Sequence, residues 1–155
     1  MTASTEILYS AGQAAHICGL SPTDLQIALD REYVKATVVP MGARTYRKFT
    51  RDQLLSLWIF TLMTDDHIKP SMASAYVEIL ENLLPQLGYV NPIEYVIFGE
   101  GFAATVEKGK PATEFKKALH GGHWVLPYED TCNSLDTQLQ YISHMDRIIE
   151  ATDQS

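Results

Sequence analysis

The chain has little that would staple it, anchor it or make it a catalyst. Of its 155 residues only two are cysteines, Cys18 and Cys132. They are too few and too far apart for a disulfide framework, and free thiols in a reducing compartment follow. No apolar run approaches the roughly 18–20 residues that a membrane helix needs. The opening Met1-Thr2-Ala3-Ser4-Thr5-Glu6 lacks the basic segment and apolar core of a secretory signal. The expected location is therefore the cytoplasm, with no membrane partner. Positive charge is scarce, 12 Lys and Arg against 19 Asp and Glu for a net charge of −7. No Gly-x-Ser-x-Gly, Walker loop or His-Glu-x-x-His occurs. No pair of His or Cys has the spacing that puts two ligands on one metal ion. Neither enzymatic activity nor a cofactor is expected.

What remains is an ordinary globular composition, 46% hydrophobic and 20% charged, enough for one domain or two small ones. The charge is unevenly spread. Residues 1–60 carry six basic and five acidic side chains, and residues 61–155 carry six basic and fourteen acidic. A near-neutral module joined to an acidic one has this asymmetry.

Local signals are densest between Tyr9 and Lys69. Ser10 is a helix N-cap, and Ala11, Ala14, Ala15 and Cys18 lie on one face of the helix it starts. Gly19-Leu20-Ser21-Pro22 stops that helix and starts another, with Gly19 in the left-handed turn, Ser21 as N-cap and Pro22 at the first helical position. Leu25, Ala28 and Leu29 form the second helix's buried stripe. Val34 to Val39 reads as a strand broken by Pro40-Met41-Gly42-Ala43, and Thr45 to Phe49 as its hairpin partner. Thr50-Arg51-Asp52-Gln53 is a capping box. It opens a helix whose apolar residues Leu54 to Leu62 cover more than one face. Pro70 opens a fourth helix through Leu87.

Residues 9–84 resemble the DNA-binding domain of the MerR family of winged-helix transcription regulators. The likeness rests on Tyr9-Ser10-Ala11-Gly12-Gln13-Ala14-Ala15, Gly19-Leu20-Ser21-Pro22, Tyr46-Arg47-Lys48-Phe49-Thr50 and Ile68-Lys69-Pro70-Ser71. It implies a winged helix-turn-helix domain over residues 7–87 and double-stranded DNA as partner. A base-reading second helix would present Ser21, Thr23 and Gln26, and a basic wing would present Arg44, Tyr46, Arg47, Lys48 and Arg51. The second helix departs from the family. Gln26, Ile27 and Ala28 stand where Arg and aromatic residues are usual, and Glu32-Tyr33 replaces a Gly-Leu pair. A second reading keeps the winged helix as a protein-binding adaptor, with Arg47 packing its stem on Tyr46 and pairing with Asp52.

Residues 88–155 are expected to form an acidic α+β domain for dimerisation or effector sensing. Tyr95–Phe98 and Phe102–Val106 read as a hairpin around Gly99-Glu100-Gly101, Thr113–His120 as a short helix and Trp124–Leu126 as a third strand. The last helix is expected to start at Asn133 or Ser134. Its Leu135, Leu139, Ile142, Met145 and Ile149 are spaced close to a heptad seam, which suits a homodimer. The aromatic strands, with Trp124 and Tyr128, are candidates to line an effector pocket. Gly99-x-Gly101-x-x-Ala104 matches a dinucleotide fingerprint only in letters, since a strand rather than a helix is expected to follow. The fold class expected for the whole is mainly α with small β elements.

Overall fold

The computed structural model describes residues 7–86, 92–110, 116, 119 and 122–153, with side chains through Ser143. Among these residues it is an α+β protein with five α-helices and two three-stranded antiparallel sheets. The chain divides into two compact units, Met1–Leu84 and Pro85–Ser155.

The first unit runs β1 (Tyr9–Ser10), α1 (Ala11–Cys18), α2 (Pro22–Asp30), β2 (Thr37–Met41), β3 (Arg44–Phe49), α3 (Arg51–Asp65) and α4 (Pro70–Leu83). Its sheet has the order β1-β3-β2, so the two-residue β1 completes a hairpin made far along the chain. The helix starts follow the expected chemistry. Ser10 and Thr50 each accept from the backbone of the third helical residue, and Gln13 and Gln53 reciprocate, giving two capping boxes. Gln53 Oε1 also accepts from Thr37 Oγ1 at 3.0 Å, which ties the root of β2 to the start of α3.

The core sits on α3. Leu54, Leu57, Ile59 and Met63 are at most 1% exposed, together with Phe49 at the end of β3. These α3 positions circle the helix rather than line one face, because α1, α4 and β3 all pack against it.

Three helices of this unit end in the same way. After α1, Gly19 adopts φ +68°, and the Leu20 N–H reaches back to the Ala15 carbonyl at 2.9 Å. After α2, Glu32 takes φ +59° while the Tyr33 N–H bonds the Ala28 carbonyl at 2.9 Å. After α3, His67 takes φ +67° while the Ile68 N–H bonds the Met63 carbonyl at 3.0 Å. Each is a left-handed helix stop followed by an apolar residue. Tyr33 then stacks on Phe60 with ring centroids 6.0 Å apart, and its carbonyl accepts from Ser74 Oγ of α4.

The hairpin differs in detail from the sequence expectation. β2 spans Thr37–Met41 instead of 34–39, so Pro40 lies within it. Proline is tolerated there because β2 is an edge strand, bonded only to β3. The turn shrinks to Gly42-Ala43. Gly42 at φ +66° supplies the positive first position of a hairpin turn whose twist matches the strands.

The second unit holds β4 (Ile93–Gly99), β5 (Phe102–Glu107), β6 (Gly122–Pro127) and α5 (Tyr128–Asp153), with β4 central in the order β5-β4-β6. The dinucleotide-like segment is the β4–β5 hairpin. Val96, Ile97 and Phe98 of β4 are fully buried. Consecutive strand residues point to opposite faces, so both faces of this strand are covered. A Cβ at Gly122 would stand 2.5 Å from Ile97 Cγ2, so only glycine allows β6 this approach. The last helix begins at Tyr128, not at Asn133 or Ser134. Glu129 and Asp130 favour its N-terminus through the helix dipole, and Thr131 Oγ1 donates back to the Pro127 carbonyl at 2.7 Å. Leu135 and Leu139 are buried and α5 packs on β4 and β6, so the first part of the heptad-like stripe is core of this unit. The side chains of Met145 and Ile149, the break expected at residues 88–91 and most of the helix expected at 113–120 lie outside the described residues.

Glu32 and His67 carry a backbone strain that Gly19 avoids. Glu32→Gly and His67→Gly are each expected to stabilise the first unit by about 0.5–1 kcal/mol, and Gly19→Ala to destabilise it by about 1 kcal/mol. Nothing lies within 4 Å of a Cβ at Gly19, so that loss would be backbone strain alone. Urea midpoints of the three variants measure all three effects.

Candidate functional site

The exposed side of the first unit brings α2 and β3 together. On α2, Gln26 and Asp30 are one turn apart and exposed. On β3, strand alternation puts Thr45, Arg47 and Phe49 on one face and Arg44, Tyr46 and Lys48 on the other. Phe49 is buried, so Arg47 shares the core-facing side and reaches α2, its Nη1 standing 3.3 Å from Asp30 Oδ1. Gln26 Nε2 donates to the same oxygen at 2.8 Å. One carboxylate oxygen therefore joins Gln26 of α2, expected to read bases, to Arg47 of β3, expected to hold phosphate. An open groove of about 460 Å³ runs between these elements and the start of α1, bordered by Gly12, Gln26, Thr45, Tyr46, Arg47 and Lys48.

Of the residues named from sequence, Gln26 and Arg47 thus meet at one groove, which Tyr46 and Lys48 also border although strand alternation places them on the other face of β3. Arg44 stands at the hairpin tip opposite Met41 and is exposed. Arg51 does not border the groove; its Nη1 lies 3.3 Å from Asp52 Oδ1 in the first turn of α3. That contact corrects the expected Arg47–Asp52 pair. Thr50 and the turn into α3 separate Asp52 from the strand face of Arg47, so Arg51 takes it instead.

Ser21 and Thr23 lie at the start of α2 and are exposed. Ser21 Oγ accepts from the Asp24 N–H at 3.0 Å, the Ser21 carbonyl accepts from the Leu25 N–H at 3.1 Å, and Pro22 has no N–H. The donors that make a helix start attractive to phosphate are therefore largely satisfied within the helix.

In the sequence Asp30 is one of several acids on α2, and its place in the site goes unseen there. The Gln26-to-Asp30 spacing of four residues is a usable signal. The partnership with Arg47, seventeen residues away, is not. The Arg47–Asp30 pair has side chains 40% and 57% exposed, so water screens it and it contributes well under about 1 kcal/mol.

A second, more apolar groove lies along α2, bordered by Leu20, Ile27, Ala28, Tyr33, Phe60 and Pro70, with Asp24, Arg31 and Asp65 on its rim. Ile27 is 43% exposed there. In the second unit, the aromatic residues considered for an effector pocket are partly taken up by packing, since Phe98 is fully buried with its ring 5.9 Å from Trp124. Among the described residues no group of three or more His, Cys, Asp or Glu could hold a metal ion, and no helix is long and apolar enough to cross a membrane. Set against protein-family models and curated proteins, the chain matches none.

Cys18 is buried, and desolvation pushes its thiol from 9.0 up to about 12. The neutral thiol is favoured by folding. Its stabilising contribution is therefore full below pH 9.0 and is lost as pH rises through about 12. Iodoacetamide at pH 8 is expected to leave Cys18 unmodified in the folded protein and to alkylate it in denaturant, read by mass spectrometry. Rapid labelling of native Cys18 would contradict its burial.

Proposed function

We propose that the protein is a DNA-binding transcription regulator whose first unit is a winged helix-turn-helix. In this reading α1 and α2 are the helix-turn-helix pair, and the β2–β3 hairpin, completed by β1, is the wing. The observation that carries it is the groove in which the exposed face of α2 meets the basic strand β3, with Gln26, Arg47 and Lys48 on its border. A helix presenting an amide to base edges beside a strand presenting cations to phosphates combines specific and non-specific contact. Arg44, at the exposed tip, extends the phosphate-binding surface beyond the groove. The resemblance of residues 9–84 to the MerR family supports the same reading.

A second reading, a protein-binding adaptor, draws on the apolar groove along the other side of α2 and on its exposed Ile27. An apolar surface rimmed by a few charges is the usual make-up of a protein contact.

The two readings part in one experiment. Purified protein is incubated with genomic DNA fragments at low salt, and retained fragments are sequenced. Under the DNA reading, fragments are retained and the Arg44→Ala, Arg47→Ala double variant weakens retention of all sequences. Its log–log salt slope becomes shallower by about 0.9 for each phosphate that is no longer neutralised. If no fragment is retained at low salt, the DNA reading fails. Ile27→Ser tests the adaptor: it should weaken a protein complex, and it adds no charge to α2 that would itself repel DNA.

A further inference from the structure

We infer that Asp30 is the specificity-determining residue of the α2–β3 groove, and that it selects the bases that present an exocyclic amine to the major groove, adenine and cytosine. The inference rests on the DNA-binding reading and deepens it.

A carboxylate oxygen can only accept hydrogen bonds. Because Asp30 Oδ1 stands 2.8 Å from the Gln26 amide, the group facing it must be the Nε2 donor, and Oε1 is turned away. The amide cannot flip without setting two acceptors against each other. A free glutamine can turn either end of its amide to a base, whereas Gln26 held by Asp30 has Oε1 fixed on the side away from Asp30, with one N–H of Nε2 left as a donor. Asp30 itself is 57% exposed at its side chain and adds a second acceptor, Oδ2, one helical turn further on. In the major groove the complementary donors are the N6 amine of adenine and the N4 amine of cytosine. At the same place guanine O6 and thymine O4 are acceptors and meet Gln26 Oε1 and Asp30 Oδ2 unfavourably.

The same carboxylate restrains the wing. Arg47 Nη1 lies 3.3 Å from Asp30 Oδ1, so one positive charge of the groove is already partly neutralised. A phosphate approaching Arg47 competes with Asp30. The residue thereby trades non-specific attraction to the DNA backbone for a requirement on the base.

The test is selection of binding sites from a randomised double-stranded DNA pool by the full chain, followed by salt titration on the selected site. The wild type should enrich adenine or cytosine at one position on one strand, by at least about fivefold over guanine and thymine. Gln26→Ala should flatten that position and leave the salt slope unchanged. Asp30→Ala should flatten it too, but steepen the salt slope by a fraction of the roughly 0.9 that one whole phosphate contact carries, as Arg47 is freed from competition with Asp30. Asp30→Asn keeps the side chain's size and removes its charge. It should steepen the slope equally, which guards against a folding defect in the alanine variant. If the wild type selects no site, the DNA-binding reading itself falls. If it selects a site and the Asp30 variants keep the same preference and slope, this inference alone is overturned.

Discussion

The first unit depends on the burial of Phe49. It is the last residue of β3, fully buried, paired across the sheet with Tyr9 and followed at once by the Thr50 cap of α3. Strand geometry then decides everything towards the hairpin tip. With Phe49 inward, Arg47 must lie on the side of α2, while Lys48, Tyr46 and Arg44 take the opposite face. A shift of one residue in this strand would exchange the two sets and separate Arg47 from Asp30. Beyond Phe49 the hairpin has little core on either side, with Val38, Met41 and Tyr46 all about half exposed. A two-stranded hairpin of that kind is marginal by itself. Here it is held by the backbone ladder, by the short third strand β1, and by the tie from Thr37 to Gln53 at its root.

The positions of the helices rest on a second constraint, the repeated left-handed stop. Gly19, Glu32 and His67 each reverse the chain, and the apolar residue after each one, Leu20, Tyr33 or Ile68, turns back towards the helices. Two of these stops use residues that resist the conformation. They are retained because a backbone pair closes each turn, and because Tyr33 also binds Phe60 by ring stacking and Ser74 by hydrogen bond. The geometry between α2 and the hairpin is thus set by the loop that Glu32 opens.

What could be read in the sequence was what is local. The caps at Ser10, Ser21 and Thr50, the Gly19 turn and the hairpins all depend on residues within a few positions of one another, and the structure has each of them. Local rules also misled. Asn133 and Ser134 are good helix caps, yet they lie inside α5, because the charge and hydrogen-bonding signals at Glu129, Asp130 and Thr131 act one turn earlier. Pro40 reads as a strand breaker until the edge position of β2 is known. The Asp30 bridge was hidden for a different reason. Strand parity predicts which way Arg47 points, but not which helix stands there, and that depends on the α2–β2 loop.

The acidity of α2 takes on a different meaning once Asp30 is placed. Spread evenly over the helix surface, Asp24, Asp30 and Glu32 would simply repel a polyanion. Their roles are in fact distinct. The Asp24 N–H takes part in the Ser21 cap, Glu32 forms the turn that ends the helix and borders a groove with Arg47, and Asp30 is the one whose carboxylate bonds Arg47. The pair it makes with Arg47 is too exposed to close the groove, since an interaction well under about 1 kcal/mol is readily displaced by a phosphate held by several cations. It is strong enough to bias side-chain orientation, because the alternative for Gln26 is an acceptor facing a carboxylate. A weak bridge at this place therefore acts on side-chain orientation more than on stability, and an acidic α2 is compatible with the basic strand β3 beside it.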